Sequence, residues 1–451
     1  MKIKVGSMTQ MIKTQNLRFI LISVLTSCIS SIFVSLYVIN SVTLSFDSWS
    51  YWETATSIAQ GYGFRSLLGS PIIAWPPLFS FYLSLWAGAD KYLSFGEIKA
   101  ALIFLAFTCA LIWSMVINSE FKENLSPVLI GNFFIAFVTP TFYTSLLSET
   151  LWMPLVGSLF YIASLNKFYK DGKKQLLLTF LFSLIFFLCL MTRNISVVLG
   201  PLFLLFTYFR SNIRVALRLL IPLAFSYLGW IIWRYLSGQS SSHFPTPDFS
   251  LFIPSVINLF TIILDVLSPR FFYVNLLVFF LIFVVYTVSS LNLYNQKTIY
   301  FQFIKSKSYS YFLFSFCYVF LSFMLSFIIG IPTNETRFYY LFILTLFISL
   351  LNLAFFDGQR LTILKIVKKF LILILMLTYI YRTVFFVSFA SQHNQKLSND
   401  FYLSKQYIEA LVIDVNQKFI GGVPLNVAVE KHGISVNRYL IWKADFDTNL
   451  D

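Results

Sequence analysis

Runs of about twenty apolar residues recur along nearly the whole chain, and they constrain its fold more than any other feature. They lie at roughly 19–39, 97–117, 127–146, 150–168, 175–192, 195–209, 217–236, 271–291, 311–331, 338–356 and 370–390. Inside a bilayer the backbone has no water to bond, so an open segment of that length satisfies itself only as a helix. The expected fold class is therefore an all-α integral membrane protein with about eleven transmembrane helices. The composition excludes a soluble globular domain: 58% of the 451 residues are hydrophobic and only 12% are charged. With 53 Phe and only 17 Gly, the helices are expected to be bulky and lipid-facing rather than packed along small-residue seams.

The formal net charge of +14 invites a nucleic-acid reading, but the positions of the cations argue against one. Lys and Arg fall mostly in short loops between apolar runs, which is a topology signal and implies no nucleic acid. Lys2, Lys4, Lys13 and Arg18 precede the first run, which is too long for a signal-peptide core and reads as a retained anchor. Cys28, Cys109, Cys189 and Cys317 lie inside apolar spans without metal spacing, and His243, His393 and His432 are far apart. Neither a metal nor another cofactor is expected.

One further apolar run, 77–95, decides the topology. If it spans, the basic segments 166–174 and 357–369 face outward. If it lies in the outer interface, the N-terminus, 118–126, 166–174, 210–218, 292–309 and 357–369 all become cytoplasmic, as the positive-inside rule prefers. The chain is therefore expected to have eleven spans in a transmembrane domain over 1–391. A first outer loop over 40–96 carries interfacial helices. Residues 392–451 form a small extracytoplasmic segment, in which 402–419 reads as a helix and Val423 to Val429 as a short strand.

This topology places Asp47, Glu149, Arg193, Arg270 and Arg337 at the outer ends of spans, on one side of the membrane. Charges at such depths are costly and usually functional. In the first outer loop, Asp47, Tyr51, Ala55 and Ile58 fall on one helical face. Gly61 and Gly63 stop that helix, and Pro76-Pro77 begins the next. A plainer reading makes this an interfacial helix whose Trp49, Tyr51 and Trp52 form an aromatic belt. The acceptor pattern Asn124-Leu-Ser is cytoplasmic in this topology and reads as a chance match.

Asp47, Tyr51, Ala55, then Gly61, Gly63, Phe64, then Pro76, Pro77 and Leu78 form a pattern that resembles the polytopic polyprenyl-phosphate-sugar glycosyltransferases. That superfamily includes protein O-mannosyltransferases and lipid A aminoarabinose transferases. The resemblance continues at Ser148-Glu149-Thr150, at Leu190-Met191-Thr192-Arg193 and at Arg337-Phe338-Tyr339-Tyr340, covering about residues 15–390. Ser48 stands where many members carry a second acidic residue, which argues against a carboxylate pair or a metal beside Asp47.

The resemblance implies transfer of a sugar from a polyprenyl-phosphate donor to a lipid, glycan or protein acceptor, with inversion, on the outer face of the cytoplasmic membrane. A phosphate diester already leaves readily, so the chemistry asks for a base on the acceptor and cations on the departing phosphate. Asp47 fits the base. Arg193 and Arg337, with Arg270, fit phosphate clamps, because guanidinium grips phosphate through a fixed fork. Glu149 positions an arginine or the sugar, or else serves as an N-terminal charge on its helix. Tyr51 and Tyr340 complete the expected substrate contacts. The rival expectation is a transporter or lipid flippase, whose charges would line a pathway near mid-span. A polysaccharide polymerase or ligase is the other enzymatic alternative.

Overall fold

The computed structural model describes residues 3–40, 46–64, 76–89, 95–122, 124–143, 147–165, 172–236, 307–329, 340–355, 366–384 and 412–430, with a few isolated positions besides. Among them there is no strand. The helices are α1 (Ile3–Asn40), α2 (Phe46–Ala59), α3 (Leu78–Ser84), α4 (Phe95–Phe121), α5 (Leu125–Val138), α6 (Glu149–Ser164) and α7 (Lys173–Thr192). Then follow α8 (Leu199–Arg210), α9 (Ile213–Leu236), α10 (Lys307–Ile329), α11 (Tyr340–Ala354) and α12 (366–384), with α13 (412–420) and α14 (Leu425–Glu430) in the tail. Five of the described helical stretches, in α1, α4, α5 with the 3-10 turn Thr139–Phe142 that continues it, α7 and α9, are long and apolar enough to cross a membrane. The expected span at 271–291 lies outside the described residues.

The awkward run 77–95 does not make a spanning helix. Its helix α3 has 7 residues, a length of about 10 Å against the ~30 Å of a hydrocarbon core. Pro77 sits directly before it, and turns follow from Leu85.

Side-chain contacts give the helix directions. Asn118 of α4 donates to the Phe19 carbonyl of α1 at 3.0 Å, while Ser114 donates to Ser23 at 2.8 Å, so the two helices run antiparallel. Thr26 reaches Asn132 of α5 and Phe33 meets Phe137 further up, so α1 and α5 are parallel. The Ser164–Ser119 bond at 2.7 Å and the Trp113 donation to the Met153 carbonyl set α6 parallel to α4. Gln175 with Arg218 and Ser183 with Ser226 set α7 parallel to α9. Ser308 with Ser349 and Ser315 with Thr345 set α10 antiparallel to α11. Phe134 with Tyr379 and Phe137 with Thr383 set α12 parallel to α5. One end of the bundle therefore carries the close of α1, α5, α7, α9, α10 and α12 and the start of α4, α6, α8 and α11. We call it the α2 end, because α2 follows α1 there.

The packing departs from the bulky, lipid-facing expectation in two respects. Many Phe side chains are inside: the Phe160 ring sits 4.8–5.6 Å from those of Trp113, Phe203, Phe206, Tyr311 and Phe314. Aromatic edges and faces pair favourably at such separations. Others, such as Phe104, Phe180 and Phe225, do face outward. Secondly, α1 does use a small-residue seam. Ser23, Thr26, Ser27 and Ser30 recur on one side of it and are buried, while Leu17, Ile20, Leu21, Leu25 and Ile32 are exposed. The seam closes on Ser114, Asn118 and Asn132, whose amides and hydroxyls bond one another across α4 and α5. α11 lies at the centre, buried along its length except at Asn352, as an all-round apolar helix should be.

Two local features bear on the sequence-based expectations, and the second changes one. Asn124 belongs to a helix cap: its side chain accepts the Ser126 amide at 3.2 Å and opens α5. The strand expected from Val423 to Val429 is instead the helix Leu425–Glu430. Pro424 precedes it with a ring-fixed φ suited to a first turn, and its carbonyl accepts the Val427 and Ala428 amides at 3.0 Å each. Val412, Val415, Ala428, Val429 and Tyr439 form an apolar cluster of the tail's own.

Candidate functional site at the α2 end

The loop between α1 and α4 is built on buried contacts. Tyr51 packs edge-on against Phe79 with centroids 5.0 Å apart, and Ala55 is fully buried. The helical face shared by Asp47, Tyr51, Ala55 and Ile58 is therefore turned into the protein at its described centre. Trp52 is 1% exposed, and its indole N–H donates to the Leu93 carbonyl at 2.7 Å. These rings are core residues of the loop, which departs from the aromatic-belt reading.

The Gly-x-Gly pair ends α2 in a defined way. Gly61 has φ +87° and Gly63 φ +78°, both in the left-handed region open to glycine. The Gly61 amide donates to the Ile58 carbonyl and the Tyr62 amide to the Ser57 carbonyl, each at 2.9 Å. That is the two-bond C-terminal cap that satisfies otherwise orphaned carbonyls. The Ser57 hydroxyl then donates to the Gly63 carbonyl at 3.0 Å. α3 packs on both α2 and α7 and so ties the loop to the helix that ends at Arg193. Tyr82 of α3 donates to the Ala101 carbonyl at 3.1 Å, and burial raises its phenol above the ordinary tyrosine range.

Glu149 and Arg193 are brought together as an ion pair. Glu149 is the first residue of α6, and Arg193 follows the last residue of α7 in extended backbone, φ −152° and ψ 135°. The negative charge thus meets a helix N-terminus and the positive charge a C-terminus, the favourable sense for both. Glu149 thus pairs with an arginine and sits at a helix N-terminus at the same time. Their side chains are 6% and 11% exposed, respectively. The short 3-10 turn Asn194–Val198 behind Arg193 is pinned by Trp152, whose indole donates to the Ser196 hydroxyl at 2.7 Å. Ser196 in turn donates to the Cys189 carbonyl at 2.6 Å.

Tyr340 opens α11 at the same end. Its hydroxyl accepts from the Arg382 guanidinium at 3.2 Å, and its ring lies 4.6 Å from Phe142. Arg382 itself sits 5.6 Å over the Tyr340 ring and 6.0 Å over Tyr379. Sequence reasoning missed this residue, although a single arginine inside the apolar run 370–390 was the available signal. Asp47 is the second residue of α2, at that helix's N-terminus; its side chain, Arg270 and Arg337 lie outside the described residues. Asp47 by its backbone, with Glu149, Arg193 and Tyr340, shares the α2 end. Among the described residues no group of three or more His, Cys, Asp or Glu gathers to hold a metal.

The α2 end thus carries a carboxylate-held guanidinium, a tyrosine-held guanidinium and a loop with buried aromatic rings. Such groups bind anions and polar rings at a membrane surface. No family model, characterised protein or solved structure matches the chain.

Proposed function

We propose that this chain is an integral-membrane glycosyltransferase that takes its sugar from a polyprenyl-phosphate carrier. The observation that supports the reading best is the Glu149–Arg193 pair at the α2 end, on the side of the bundle where α2 carries Asp47. In this reading Asp47 accepts the proton of an acceptor hydroxyl as its oxygen attacks the anomeric carbon from the face opposite the phosphate. The bond from that carbon to the phosphate oxygen breaks, the configuration inverts, and the polyprenyl phosphate leaves with the electron pair. Arg193, held by Glu149, and Arg337, with Arg270, receive the developing phosphate charge. Tyr340 shapes the sugar-facing side, and Tyr51 acts on it through the loop that it braces against Phe79.

Eleven spans belong to the same proposal. α9 ends at the α2 end and α10 begins at the other, and the span expected from sequence at 271–291 is consistent with that change of side. The end opposite α2 carries Lys122, Lys173, Lys174, Arg210, Arg214, Arg218, Lys307, Lys368 and Lys369. By the positive-inside rule that end is cytoplasmic, and the α2 end faces outward from the cytoplasmic membrane.

The test uses the full chain in nanodiscs with labelled sugars on synthetic polyprenyl phosphates and a panel of lipid, glycan and peptide acceptors. Transfer of label with inverted anomeric configuration is the expected result. Absence of both donor binding and transfer across the panel would overturn the reading and leave the transporter or flippase ahead.

A further inference from the structure

The end of the bundle opposite α2 holds a second charged centre, and it does not depend on the proposed activity. Glu120, in the last turn of α4, has a fully buried side chain. One carboxylate oxygen takes Arg210 at 2.7 Å and the Tyr311 hydroxyl at 3.2 Å. The other takes the Lys307 ammonium at 3.2 Å, and the same ammonium donates to the Glu120 backbone carbonyl at 3.1 Å. Arg210 is 6% exposed and Lys307 44%. The guanidinium also lies 6.0 Å over Tyr169 and 5.6 Å over Phe206.

These residues come from helices that belong to different neighbourhoods. α4 packs on α1, α5 and α6, whereas α8 and α10 pack on each other. Apolar contact joins the two sets through the Phe160 ring of α6, and at the end of the bundle Glu120 is the charged side chain that links α4 to α8 and α10. The charges are also nearly closed among themselves. Two cations face one carboxylate, and the surplus positive charge sits where α4 and α8 both end, each contributing about half a negative charge. The centre therefore needs no further anion, which sets it apart from a ligand site.

We propose that Glu120, Arg210, Lys307 and Tyr311 form a charge lock that closes the seam between these two helix sets at one end of the bundle. Water and polar solutes are then kept from entering through this seam from the end opposite α2. A carrier working by alternating access would have to break this lock in every cycle; an enzyme working at the α2 end keeps it shut.

Ser315, one turn above Tyr311 on α10, is fully buried and bonded to Thr345, and so reports on the seam. The full chain bearing Ser315→Cys is placed in sealed vesicles, in the orientation in which Lys174→Cys is modified from outside. A membrane-impermeant maleimide is added, and modification at position 315 is read by peptide mass spectrometry, which separates it from the native cysteines. Adding Glu120→Gln is expected to speed modification at least tenfold, because two cations then face each other without their carboxylate. Adding Arg210→Met to that variant is expected to restore slow modification, because the remaining ammonium can turn to solvent. Equal rates with and without Glu120→Gln overturn the proposal, as does a rate that stays fast after Arg210→Met. If Glu120→Gln is not recovered as monodisperse protein, Glu120→Asp replaces it, with an intermediate rate expected and a wild-type rate overturning the proposal.

Discussion

Arg193 ends α7 against the carboxylate of Glu149, which opens α6, so one ion pair joins two helix termini at the α2 end. Removing one partner of such a mostly buried pair costs about 3–5 kcal/mol when the other stays charged. Glu149→Gln is therefore expected to lower the thermal unfolding midpoint as well as activity. Arg193→Lys keeps the charge but loses the planar fork. It is expected to reduce sugar transfer roughly tenfold or more, the equivalent of about 1.4 kcal/mol in the transition state, at near-normal expression. Full transfer activity in Arg193→Lys would make the pair a helix-joining device only.

Asp47→Asn separates chemistry from folding. It keeps size and most hydrogen bonding but removes the proton acceptor, and general-base assistance is worth about 10²–10⁴-fold in rate. Turnover should fall by that order while donor binding persists. Glu53, on the same helix but about 120° around from Asp47 at ~100° per residue, is the control, and Glu53→Gln should change turnover much less. Wild-type turnover in Asp47→Asn would remove the catalytic centre.

Gly61→Ala tests the cap of α2. An ideal Cβ at Gly61 meets nothing within 4 Å, so its cost is that of the left-handed backbone alone. That cost is roughly 1–2 kcal/mol for an L-residue, which corresponds to about tenfold faster amide exchange at Tyr62, whose N–H is bonded to Ser57. Hydrogen-exchange mass spectrometry over 57–64 measures it. Unchanged exchange there would show that the turn is held by other means.

The proposed sidedness rests on the positive-inside rule together with α3 being too short to cross. Ser398→Cys should be labelled from the outer side and Asp171→Cys from the cytoplasmic side. Labelling of Ser398→Cys from the cytoplasm would invert the proposed topology.

Much of the described bundle was legible because hydropathy reports length directly, and the 77–95 run, read as interfacial by the positive-inside rule, carries the short helix α3. Glu149 and Arg193 were legible as charges at span ends, but their mutual contact was not, since it depends on how α6 and α7 pack. Arg210 and Lys307 were read as loop cations because they border apolar runs. Only packing shows that Glu120 at the end of α4 pairs with both and that Arg210 is buried by it. The Val423–Val429 segment misled because β-branched residues in a short polar stretch look like a strand. Pro424 and the apolar contacts of Ala428 and Val429 decided otherwise.

The polar seam of α1 carries a practical consequence for anyone extracting this protein. Ser23, Thr26, Asn118 and Asn132 hold α1 through hydrogen bonds that meet no competing water in lipid. A small, water-permeable detergent micelle supplies that competition, and much of the opposite side of α1 already faces outward. α1 is then the helix released first, and it takes with it the tether of α2 and Asp47. Loss of activity on solubilisation would precede loss of helicity, and restoring lipid should reverse it.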